Sequence, residues 1–228
     1  MNETGLSFLD VLTTSAGAAP ISTLAGAWEA YQGERNTGTS PFSSAVLVAS
    51  RVDRLGLAFA VGYPAALQHM VHGVVLPSAL CVTEAGGNGP RAIESTLEKR
   101  GDGYELRGAK TFVTFGNLAK TLIVVAKVGE QPDGRPELVV VQVPSDRPGV
   151  VLQQLPETPF VPEVPHTSVR FDGVAVRADE RLPGDGYLEY VKPFRTIEDI
   201  HVIGAALAYL IGLSRRTRSS ETLIAELS

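Results

Sequence analysis

Two short segments hold the residue types from which a site for a flat, heteroatom-edged ring is readily assembled. The first is Cys81-Val82-Thr83-Glu84, an extended stretch that runs into Gly86-Gly87-Asn88-Gly89. A strand ending in a glycine-rich loop exposes backbone N–H groups that bond an anionic or carbonyl-rich ligand. The second is Gly108 to Gly116, in which Phe112 and Thr114 sit two apart and hence on one face of a strand. An aromatic plane beside a hydroxyl covers one side of a heterocycle and addresses its edge. A flavin presents that combination, and the protein's part is then positioning and electronic tuning. A plainer arrangement fits the same residues and is the commoner one: the glycines make a hairpin and Phe112 fills the core.

The elements that must position these residues change character twice along the chain. Up to about Leu76 the sequence is rich in Ala, Leu, Ser and Gly at helical spacing. Pro20 and Pro41 suit the first turn of a helix, and Ser40 suits an N-cap. Val46, Leu47, Val52, Leu55, Leu57 and Phe59 nearly surround their helix, which predicts burial on several sides. Trp28 and Tyr31 read as a helix–helix packing pair.

From Pro77 to Pro183 the period becomes two. Strands are expected at Leu80–Glu84, Ile93–Lys99, Tyr104–Leu106, Lys110–Thr114, Thr121–Lys127, Glu137–Val143, Val150–Gln154 and Ser168–Phe171. Glycine-rich turns separate them with no helix between, which predicts an antiparallel barrel or sandwich. Ile123 to Ala126 is apolar without alternation and is expected between two layers. Helical spacing returns over Ile197 to Arg215, and Ser220 is expected to begin a last short helix. The organisation expected is α+β: a helical region over 1–77, a central antiparallel β-barrel domain over 78–185, and a truncated helical part over 186–228.

Composition narrows the function. Among 228 residues the formal net charge is −5, against a nucleic-acid binder, which needs a basic surface to meet phosphates. One cysteine, Cys81, allows no internal disulfide and fits a reducing cytoplasmic compartment. No signal peptide is expected behind Asn2 and Glu3, and the apolar run Val202 to Leu213 is too short to span a membrane. Of His69, His72, His166 and His201, the first two are three apart, but no third ligand accompanies them, so no metal is expected.

Taken together the motifs resemble those of the acyl-CoA dehydrogenase family. Its middle domain has a Thr-Glu-Pro strand end, a glycine-rich loop, Asp-Gly-Tyr, Gly-x-Lys and an aromatic-Ile-Thr-Asn-Gly strand. This chain offers Thr83-Glu84-Ala85, Asp102-Gly103-Tyr104, Gly108-Ala109-Lys110 and Phe112-Val113-Thr114-Phe115-Gly116, then Phe171-Asp172-Gly173-Val174-Ala175-Val176. The likeness implies FAD, with FMN as the alternative. Val82 and Thr83 would bond the flavin ring, Leu80 would flank it, Phe112 would lie against its face and Thr114 would reach its N5 and O4 edge. It also implies an acyl-CoA or related small-molecule substrate, a homo-oligomer, and a proton-abstracting base. Glu198 stands where one branch of the family places that base, while Glu198 and Asp199 equally suit the plainer and commoner role of solvated acids at a helix N-terminus.

The departures are specific. Ala85 replaces the family's Pro, Asn88-Gly89-Pro90 replaces a Ser-Asp that faces the CoA chain, and Asp199 stands where an Arg follows the base. Two other functions accommodate them: a flavin monooxygenase on the same scaffold, and a non-catalytic subunit that binds a partner through an exposed helical face.

Overall fold

The computed structural model describes residues 19–217, so the helix expected from Ser220 lies outside the described residues. The described residues form two compact units, one of residues 19–70 with 196–217 and one of residues 71–195.

The helical unit contains α1 (Leu24–Asn36), α2 (Pro41–Ala49), α3 (Leu55–Met70) and, from Thr196, most of α4 (Lys192–Arg216). Each early start has a local cause. The Thr23 hydroxyl accepts from the Gly26 N–H, and Ser40 accepts from the Ser43 N–H with Pro41 opening the helix. Pro20 therefore precedes α1 rather than entering its first turn. The apolar run from Val46 to Phe59 divides between α2 and α3, and α3 is buried almost all round. Its Gly62 admits α4, since a Cβ there would lie 3.0 Å from the His201 carbonyl oxygen. Arg216 donates to the carbonyls of Ser50 at 2.9 Å and Val52 at 2.7 Å, tying the end of α4 to the turn after α2. Trp28 and Tyr31 stack on each other within α1, one turn apart, and the buried Tyr31 links α1 to α3, its hydroxyl donating to the Gln68 side-chain oxygen at 2.5 Å.

The helical stretch Gly186–Arg216 is, by length and composition, long and apolar enough to cross a membrane. The expectation of too short an apolar run is revised on that point. A core helix meets the same measure, and Ala205, Ala208 and Ile211 of α4 are buried.

The second unit is a sheet of β1 (Ser78–Cys81), β2 (Thr96–Arg100), β3 (Gly103–Thr114), β4 (Thr121–Glu130), β5 (Pro136–Pro144), β6 (Val150–Gln154) and β7 (His166–Val176). The order is β1-β4-β2-β3-β7-β6, with β5 on β4. The antiparallel pairing expected of the sheet holds for β2–β3, β3–β7, β4–β5 and β6–β7, whereas β1 and one residue pair of β2 join β4 in parallel. The first six residues of β4 are all buried, as its unbroken apolar run requires. Leu106, Val124, Val141, Val169 and Phe171 centre the core. Each such side chain contributes about 1.5–3 kcal/mol when fully buried.

Two of the expected strands merge. Tyr104–Leu106 and Lys110–Thr114 are parts of β3, which continues through Gly108 at φ +137°. A Cβ at Gly108 would strike Ser95 at 2.6 Å from its Cα, so this glycine is what lets the segment before β2 close on β3.

Candidate functional site

The stretch after β1 leaves its strand partner and crosses to β3. Thr111 donates its N–H to the Thr83 carbonyl at 2.8 Å, and the Lys110 ammonium donates to the Val82 carbonyl at 3.2 Å. The two motifs singled out in the sequence are thus brought side by side. Val82 and Thr83 are half-buried, and among the described residues neither of their N–H groups meets an acceptor. The Thr83 and Thr114 hydroxyls, also half-buried, have no partner among the described residues either. Leu80 is buried within β1 itself, one residue from Cys81 on the strand.

A bulge decides which way Phe112 points. Along β3, Leu106 and Lys110 face inward, and continued alternation would send Phe112 inward too. Between Lys110 and Val113 the register against β7 slips, so that three steps along β3 match two along β7. Phe112 takes φ +51°, a left-handed conformation that costs a non-glycine residue about 1–2 kcal/mol. Val113 then enters the core, while Phe112 is 64% exposed with Thr114 on the same side. The core-filling alternative for Phe112 is therefore excluded. Strain of this kind is kept where a side chain must be re-aimed.

His166 joins the group. It lies opposite Thr114 in the β3–β7 register, and its ring meets Phe112 edge-on with centroids 6.4 Å apart. Its Nδ1 is buried without a hydrogen-bond partner among the described residues. In the sequence His166 stands out only as a possible metal ligand; its place across from Thr114 depends on pairing that no local pattern announces.

Beneath this face sits a buried ion pair. The Lys110 side chain has no exposed surface and its ammonium lies 2.6 Å from the Glu84 carboxylate. The carboxylate also accepts from the Glu94 N–H, the Ser95 N–H and the Ser95 hydroxyl at 2.8–3.1 Å. Burial alone would push the Glu84 carboxyl up, but the bond and charge of Lys110, with the two N–H donors, outweigh it and hold the group below the ordinary carboxylate range.

Glu198 belongs to the helical unit, on α4. It is half-buried, and burial together with the adjacent Asp199 carboxylate pushes its pKa up to about 7. Cys81 is buried, and its thiol is pushed up to about 12 by burial, which leaves it unreactive. His69 touches the His201 ring, at a centroid distance of 5.2 Å, whereas His72 falls beyond the end of α3. Among the described residues no group of three or more His, Cys, Asp or Glu is placed to hold a metal ion.

The fit to a flavin ring can be judged from these residues. An exposed aromatic plane, two N–H groups, two hydroxyls and one orphaned imidazole nitrogen gather where β1 runs out beside the bulge. They match the apolar face and polar edge of such a ring. Phe112→Gly makes a test, because it relieves the left-handed strain while removing the plane. The variant is expected to keep, or gain up to about 1 kcal/mol of, stability in urea without cofactor. It should bind FAD at least tenfold more weakly. Equal FAD affinity would mean that the ring lies elsewhere.

Comparison with known proteins bears on the fold that carries these residues. The family model described as Acyl-CoA dehydrogenase, middle domain, matches residues 79–174, a stretch that takes in β1 to most of β7. A 3-sulfinopropanoyl-CoA desulfinase of Paraburkholderia xenovorans (strain LB400) is 28% identical over 152 residues, 64% of this chain and 38% of that protein. A benzylmalonyl-CoA dehydrogenase of Aromatoleum aromaticum (strain DSM 19018 / LMG 30748 / EbN1) is 29% identical over 143 residues, 60% of this chain and 35% of that protein. The chain thus spans little more than a third of the length of these curated relatives. Among solved structures, an FAD-dependent dehydrogenase superimposes with a TM-score of 0.64 at 20% identity, covering 85% of this chain and 59% of the other. At that identity the likeness speaks for the fold.

Proposed function

We propose that the chain is a member of the acyl-CoA dehydrogenase family, whose middle-domain model matches residues 79–174, that it binds FAD on the face formed by Val82, Thr83, Phe112 and Thr114, and that it serves the flavin-dependent oxidation of an acyl thioester. The observation that carries this reading is the bulge at Phe112. It turns an aromatic ring out of the core, at a cost, beside donors that have no partner among the described residues.

Bound there, FAD supplies a two-electron acceptor for carbon that has lost an α-proton. The chain's own residues do the rest. Phe112 covers one side of the ring and excludes water from it. The Val82 and Thr83 N–H groups and the two threonine hydroxyls hold the ring's edge in register, fixed in direction by the backbone before any ligand arrives. Glu198 is the proton acceptor in this reading; a carboxyl with a pKa of about 7 is half ionised near neutral pH and so strong enough to take a proton without being fully protonated beforehand.

The test is anaerobic. The protein is loaded with FAD and mixed with a panel of saturated acyl-CoA esters, and the flavin's visible absorption is followed. Loss of the oxidised bands without NAD(P)H is the expected result. Reduction only through an added reductase would replace the dehydrogenase with the monooxygenase, and failure to take up flavin would favour the partner-binding subunit.

A further inference from the structure

The buried ion pair has a geometry that a merely structural staple does not need. The Lys110 ammonium reaches past Glu84 to the carbonyl of Val82, 3.2 Å away. That carbonyl shares its peptide group with the Thr83 N–H, one of the two N–H groups with no acceptor among the described residues. A cation bonded to the oxygen of a peptide draws electron density from it and makes the N–H of the same unit a stronger donor. With the side chain fully buried, the ammonium acts in a low-dielectric surrounding where that polarisation is least screened.

We propose that Lys110 is a positioning residue of the flavin site: held by Glu84, it aims and polarises the Val82–Thr83 peptide so that the Thr83 N–H stabilises negative charge on the reduced flavin. The proposal rests on the flavin reading above and adds to it the device that tunes the cofactor. The surroundings of the pair are arranged for this. Glu84 is fixed by the Glu94 and Ser95 backbone N–H groups and the Ser95 hydroxyl, so its carboxylate cannot follow the ammonium if the latter moves. Gly108 lets Ser95 come that close. The Thr83 carbonyl is in turn tied to the Thr111 N–H, one residue before the aromatic plane. Adjacent residues of β3 thus act on the two sides of the Thr83 unit, Lys110 on the peptide before it and Thr111 on its own carbonyl.

The experiment measures FAD dissociation constants and the flavin midpoint potential for the wild type, the double variant Lys110→Met/Glu84→Gln and Ser95→Ala. The double variant removes both charges at once and leaves no unpaired ion. It is expected to bind oxidised FAD about tenfold more weakly and reduced FAD by about a further tenfold, which for a two-electron couple lowers the potential by about 30 mV. Ser95→Ala loses one bond to the same carboxylate but leaves the ammonium on Val82, so its thermal stability should fall while its potential holds. If the double variant does not fold, Glu84→Asp draws the ammonium back from the Val82 carbonyl and should shift the potential in the same direction. A folded double variant with wild-type affinity and potential overturns the proposal and leaves the flavin reading standing. So does Ser95→Ala shifting the potential as far as the double variant. A wild type that takes up no FAD overturns both.

Discussion

Glu198→Gln is expected to slow acyl-CoA-dependent bleaching of the flavin by about 10²–10⁴-fold, the range for loss of a general base, while FAD remains bound. The side chain is half-buried on α4 with Asp199 next to it, and burial first, then the like charge, makes its carboxylate easier to protonate. Only the ionised form accepts a proton. In the wild type the bleaching rate should therefore level off above pH of about 7 and fall about tenfold for each further pH unit below it. The variant should show no such limb. The sign for stability follows from the same shift. A carboxyl whose folded pKa lies above its unfolded value binds its proton more tightly in the fold. Glu198 thus costs stability as pH rises from the ordinary 4.5 through about 7. Glu198→Gln should accordingly be the more stable protein above that window, even though it is the less active one. Stopped-flow bleaching across the pH range, paired with urea unfolding, checks both. An unchanged rate removes Glu198 from the chemistry.

Lys110→Met alone is expected to cost about 3–5 kcal/mol, because it leaves the Glu84 carboxylate buried without its cation. Glu84 retains bonds from Glu94 and Ser95, but three neutral donors do not replace a full charge at 2.6 Å. Adding Glu84→Gln should recover most of the loss, since a neutral pair of similar volume needs no counter-ion. The pH dependence is diagnostic. In the wild type the folded pKa of Glu84 is depressed, so the stability it contributes is present above the ordinary value of 4.5 and is lost as pH falls through the lower folded value. In Lys110→Met the carboxyl, deprived of its cation, should be raised instead. Its penalty should then shrink on acidification, and the two unfolding curves should converge toward low pH. Urea titrations at neutral and acidic pH measure this; a single variant within about 1 kcal/mol of wild type would show the pair to be dispensable.

Much of this was legible in the residues, and what was not has physical reasons. The Thr83-Glu84 and Phe112-Val113-Thr114 segments announced a strand end and a strand with an aromatic and a hydroxyl on one side, and their side-by-side placement follows from the Thr111–Thr83 and Lys110–Val82 bonds. The unbroken apolar stretch Ile123 to Ala126 read as buried on both sides, and it is. The direction of Phe112 was reached for an incomplete reason. Spacing put it on the face of Thr114, but only the bulge makes that face the outer one, and a one-residue slip in pairing leaves no trace in composition. Residues 107–109 fell between two expected strands, whereas Gly108 serves a close approach by Ser95 within one long strand. The roles of Lys110 and Glu84 join positions 26 residues apart, and His166 is farther still from Phe112. Such contacts come from the sheet's pairing and not from local spacing.

The central claim is that one face of the sheet holds a flavin. It is tested most directly by titrating isotope-labelled wild-type protein with FAD and mapping which amide resonances move. The account predicts saturable binding, with the largest shifts at Val82, Thr83, Phe112 and Thr114. Absence of binding, or shifts gathered elsewhere with these four unmoved, would contradict it.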